Sequence, residues 1–103
     1  MLDEIDTLVL RGLMAWHVRV TLTDKRVQMR PTRRLERMAG AKGDAFYVTE
    51  IDRVEWGRVT RQLNIHLQSR SIILSGGDVW KVYRHLNAIV SPDEAEPVDP
   101  EMD

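Results

Sequence analysis

A mainly β (α+β) domain of six or seven antiparallel strands, closed by one C-terminal helix, is the architecture this sequence predicts. Three observations predict it. Trp16, Val18, Val20 and Leu22 alternate with His17, Arg19 and Thr21, the period of two that marks a strand with one buried face. Leu63, Ile65 and Leu67 alternate in the same way with Asn64, His66 and Gln68. After Ser75-Gly76-Gly77-Asp78 the period changes, and Val79, Val82, Tyr83, Leu86, Ile89 and Val90 fall at helical spacing.

The other elements follow in chain order. Residues 5–14 carry Leu8, Leu10, Leu13 and Met14 around Gly12 and read as a first strand. A short amphipathic helix is the alternative, because Ile5, Leu8, Val9 and Leu13 also suit helical spacing. Thr23-Asp24-Lys25 turns the second strand back into Val27 and Met29, giving a hairpin. Pro31, which has no N–H for a ladder, ends that strand. Arg30 to Asp44 is a long connection with room for a helical turn from Arg33 to Ala39, stopped by Gly40 and Gly43. Phe46, Val48, Ile51, Val54 and Trp56 mark a strand pair or one bent strand, with a bulge or turn near Thr49-Glu50 where the alternation breaks. Gln68 to Ser71 turns the chain into Ile72-Ile73-Leu74, the last strand. Asp78 suits the helix N-cap, and Ser91-Pro92 ends the helix.

Bulk properties narrow the function. The 103 residues make one domain, 43% apolar, with no cysteine. Disulfides, thiolate zinc sites and cysteine nucleophiles are therefore excluded. The longest apolar runs are four residues, far below the roughly 18 of a membrane span. The start carries Asp3, Glu4 and Asp6 and does not read as a signal peptide. The expected location is cytoplasmic, with any membrane association made through a partner. The net charge of −1 conceals an asymmetry: residues 91–103 hold six acids and no Lys or Arg, while residues 1–90 hold all 15 basic side chains and ten acids. The expected organisation is a β-rich domain over residues 1–90 and an acidic, disordered tail over 91–103.

Val20-Thr21-Leu22-Thr23-Asp24-Lys25-Arg26-Val27, Glu50-Ile51-Asp52-Arg53-Val54, Leu63-Asn64-Ile65 and Trp80 early in the last helix carry a family likeness. In these stretches the chain resembles the bacterial pleckstrin-homology-like and GRAM-type domains, over about residues 8–90. The resemblance implies a barrel capped by its helix and a non-enzymatic binding module without a cofactor. Members of that class bind anionic lipid or protein surfaces. The lipid-binding members place Lys and Arg between the first two strands. Here that loop reads Gly12-Leu13-Met14-Ala15, flanked by Arg11 and Arg19.

Arg30, Arg33, Arg34, Arg37 and Lys42 form the basic candidate site, with Glu36 the only acid before Asp44. Arginine forks match phosphate and carboxylate oxygens, so this connection suits an anionic lipid, a nucleic-acid backbone or an acidic peptide. A solvated loop is the plainer reading. Arg30…Arg34 and Arg33…Arg37, with Asp52 and Gly57, also resemble the cyclic-dinucleotide motif of PilZ-type receptors, although Val54 stands where that motif needs serine. His17, His66 and His85 lack metal-ligand spacing. Ser75-Gly76-Gly77 lacks the lysine of a phosphate loop, and Glu50, Asp52 and Glu55 read as solvent-face charges. The first expectation is a protein partner docked at a sheet edge, a loop or the groove beside the helix. The second is an anionic surface met by the arginine connection.

Overall fold

A computed structural model describes residues 3–90 of the chain, and the acidic tail expected at 91–103 lies outside them. The strands are β1 (Asp3–Arg11), β2 (Met14–Leu22), β3 (Arg26–Pro31), β4 (Asp44–Tyr47), β5 (Ile51–Gly57), β6 (Gln62–Leu67) and β7 (Ser71–Ser75). The helices are α1 (Arg34–Met38) and α2 (Val79–Val90). All seven strands are antiparallel in one sheet of order β4-β3-β2-β1-β7-β6-β5. The expected class and strand number hold, but the sheet does not close on itself: β4 and β5 are its two edges.

The first segment is a strand rather than the alternative helix. β1 pairs with β2 from Asp3↔Leu22 to Arg11↔Met14 around a two-residue turn at Gly12-Leu13. Gly12 has φ +61°, as a tight hairpin turn of primed type requires at its first central position. The buried period in β1 is Ile5, Thr7 and Val9, not the Leu8–Leu10–Leu13 series that the leucines suggested. Thr7 is tolerated there because its hydroxyl lies 2.7 Å from the Ser75 carbonyl and 2.9 Å from that of Gly76.

The corner between β4 and β5 falls where expected, near Thr49-Glu50, and separates a strand pair rather than bending one strand. A single 3-10 turn occupies Val48–Glu50, and the bulge comes one step later, between Ile51 and Arg53. Three bonds fix the corner. Glu50 Oε2 accepts from Tyr47 N at 2.7 Å, Val48 N donates to the Lys25 carbonyl, and Gln68 N donates to the Glu50 carbonyl.

The core joins Val18, Val20, Leu22, Val27 and Phe46 to Leu63, Ile65, Leu74, Val79, Val82 and Leu86. α2 contributes the expected stripe, with Tyr83, Ile89 and Val90 half-buried and Asn87 buried beside Leu86. Asp78 immediately precedes the helix, as expected. Gly77 is obligatory: it has φ +56°, and a Cβ there would strike the Asp6 carbonyl.

Candidate functional site: the end of three connections

Two ends of the sheet are dressed differently. At one, α2 packs down, and His85 Nε2 donates to the Thr23 carbonyl in the β2–β3 turn, 3.2 Å away. The other lies at the far end of β2, about 25 Å off at roughly 3.3 Å per residue. Here the β1–β2 turn, the long β3–β4 connection and the β6–β7 turn converge. Asp44 joins them: Arg70 Nη2 donates to Asp44 Oδ1 at 2.8 Å, and Arg11 Nη2 lies 3.5 Å from Oδ2.

α1 is held at this end by its one acid. β3 stops pairing with β2 at Pro31↔Val18, which would leave the next β2 groups open. Thr32 N instead donates to the His17 carbonyl at 3.0 Å. Glu36 reaches back and accepts from His17 N at 2.6 Å and from the His17 ring at 2.7 Å. Burial opposes ionisation of this carboxyl, but the His17 backbone N–H, the His17 ring and the nearby Arg33 charge outweigh it and hold its pKa below the usual value.

With Glu36 turned inward, the rest of α1 faces out. Leu35 is 79% exposed and Met38 75%; spaced three apart, they share a face. Leu13 at the tip of the neighbouring hairpin is fully exposed, and Met14 half so. Arg33, Arg34, Arg37 and Lys42 are exposed and make no ion pair with a carboxylate among the described residues. Arg30 stands apart. It lies on the strand opposite Arg19, on the open sheet face where Arg19 Nε donates to Asp6 at 2.9 Å.

The expected basic segment is therefore three α1-proximal arginines and Lys42, with Arg30 displaced onto the sheet. Sequence reasoning missed three contributors: Glu36 as the anchor, Asp44 as the junction, and Arg70, contributed by a turn far along the chain. It also took no notice of Leu35 and Met38. Only those last carried a readable signal, because large apolar residues inside a polar connection have no core to enter.

The remaining candidates are dispersed. His17 serves α1, His66 lies between Glu55 (3.2 Å) and Ser71 (3.2 Å), and His85 serves the opposite end. No group of three metal-ligating side chains occurs among the described residues. Asp52 and Gly57 sit on β5 at the sheet edge, in no ladder with β3, and Val54 packs on the core. Carbonyl oxygens crowd the Gly76-Gly77 turn: Thr7 bonds the Gly76 carbonyl, and the Asp6 carbonyl faces Gly77. That environment repels an anion. The groove between α2 and β5 is filled by Trp56, Trp80 and Tyr83, whose ring centroids stand 4.9–5.5 Å apart, with the Arg61 guanidinium over Trp56.

No protein-family model matches the chain. No curated protein matches it by sequence. Solved structures do resemble it. The C-terminal domain of an unknown protein from Leishmania infantum superposes with TM-score 0.70 at 12% identity, covering 85% of this chain and 81% of that one. The N-terminal PH domain of human ARAP2 superposes with TM-score 0.64 at 10% identity, covering 97% and 90%. The fold is pleckstrin-homology-like. No helix among the described residues is long and apolar enough to cross a membrane.

Proposed function

We propose that this chain is a non-enzymatic interaction module that meets an anionic bilayer with its three-connection end. The observation that carries the reading is the coincidence of exposed apolar tips with exposed arginines that form no carboxylate ion pair among the described residues. Leu35 and Met38 stand exposed among Arg34 and Arg37 on α1, Leu13 is exposed at the β1–β2 tip, and the one acid of α1 is turned inward. Each basic side chain near an anionic membrane contributes about 1 kcal/mol, and burying a Leu or Met contributes roughly 1.5–3 kcal/mol. Neither set alone anchors a domain firmly. Together they supply the two signals that stable membrane attachment needs.

A protein partner at a sheet edge or beside α2 is the competing reading, and two features weigh against it. Trp56, Trp80 and Tyr83 fill the groove. The β5 edge carries a bulge and the charged Asp52, Arg53 and Glu55, devices that discourage an added strand.

Sedimentation with phosphatidylcholine vesicles, with and without phosphatidylserine, tests the proposal. Binding should require phosphatidylserine and weaken steeply with salt. It should be lost in Arg33→Gln/Arg34→Gln/Arg37→Gln and in Leu13→Ser/Leu35→Ser/Met38→Ser. Indifference of the intact chain to phosphatidylserine would sink the bilayer reading and return attention to protein partners.

A further inference from the structure

Arg11 and Arg70 reach the three-connection end from separate turns and converge on one carboxylate, that of Asp44. Asp44 is mostly buried, with 21% of its side chain exposed, whereas the arginines stand 52% and 40% exposed. Two guanidinium groups opening to solvent around one oxyanion match what a phosphate group requires. Here the chain supplies the oxyanion itself.

We propose that Asp44 is a built-in counter-anion, seated between Arg11 and Arg70, which a lipid-headgroup phosphate displaces when this end meets a bilayer. The inference rests on the anionic-bilayer reading and adds a regulatory residue to it. It divides the basic side chains by task. Arg33, Arg34 and Arg37, which form no ion pair among the described residues, draw the domain to the surface. Arg11 and Arg70 are held in reserve, and their exchange of carboxylate for phosphate sets how tightly the docked domain is retained. Ala45 N and the Ala45 carbonyl, which bond Asp44 Oδ1 and Arg70 at 2.8 and 3.4 Å, keep the pair in place when no phosphate is present.

The test compares Asp44→Asn with Asp24→Asn, which removes the same charge in the exposed β2–β3 turn at the opposite end. Phosphatidylserine vesicles and inorganic phosphate are the titrants. Asp44→Asn should bind the vesicles roughly thirtyfold more tightly than the parent, as expected from two freed arginines. Asp24→Asn should change binding by less than about twofold, because its charge is screened at that distance. Adding Arg11→Gln and Arg70→Gln to Asp44→Asn should abolish the gain. A gain no larger than that of Asp24→Asn overturns the counter-anion role while the bilayer reading stands. Failure of parent and variants alike to bind vesicles overturns the bilayer reading itself. A gain for inorganic phosphate without one for vesicles overturns the headgroup as source. Should Asp44→Asn melt below the assay temperature, Arg11→Gln/Arg70→Gln in the parent provides the second test. Its vesicle binding should depend less steeply on salt, and an unchanged slope counts against the proposal.

Discussion

α2 gives its own large side chains a place to go: Val79, Val82 and Leu86 enter the core, and Trp80 and Tyr83 pack against Trp56 of β5. At the three-connection end the same chain exposes Leu13, Leu35 and Met38 and places arginines among them. The contrast separates residues that hold the fold from residues the fold holds out. Mutation should therefore act on stability at one end and on binding at the other.

The largest effect expected is from Leu86→Ala. The side chain is fully buried, and its truncation should cost about 3 kcal/mol, roughly 15 °C in thermal midpoint for a domain of this size. Leu35→Ala removes the same atoms from an exposed position and should change stability by less than about 0.5 kcal/mol. Equal losses at both sites would erase the contrast. Gly77→Ala comes next. It forces a left-handed φ and a contact with the Asp6 carbonyl, so a loss of about 2 kcal/mol should appear in urea melts.

Trp56→Phe should cost less. The Trp56 indole N–H is buried without an acceptor among the described residues, so its removal also removes an unsatisfied donor worth about 1–3 kcal/mol. That gain offsets the lost ring area, and the net change should stay within about 1 kcal/mol. A loss as large as that of Leu86→Ala would show that the groove aromatics depend on the indole itself.

How much of this was legible in the sequence depended on range. The alternation in β2 and β6 and the 3.6 spacing of α2 are local signals, and each element formed where its period placed it. β1 was ambiguous because apolar side chains lie on both of its faces, Leu8 and Leu10 on one and Ile5 and Val9 on the other. The buried set includes Thr7, which is satisfied only by the Ser75 and Gly76 carbonyls far along the chain. The site was less legible for the same reason. Arg33, Arg34 and Arg37 stand out as a run, but Asp44 gains its meaning from Arg11 and Arg70. Glu36 gains its own from His17. Such pairings are set by strand order, which no local pattern records.

The smallest effect concerns that last pair, and it distinguishes a clasp from a chance contact. Glu36 is held ionised below the usual carboxylate range because its bonds to His17 and the Arg33 charge outweigh the cost of burial. A depressed carboxylate pKa contributes stability above the unfolded pKa and loses it as pH falls through the folded value. Glu36→Gln should therefore expose α1 at neutral pH, read as faster hydrogen exchange at the His17 amide, and the thermal midpoint should fall only slightly. As pH drops below the carboxylate range, the parent loses its ionised clasp and the two proteins should converge. Asp6, also depressed by its bond from Arg19, is present in both and cancels from the difference. A gap that persisted undiminished in acid would mean that α1 is held by shape alone, and that the charge on Glu36 has no part in turning the arginines outward.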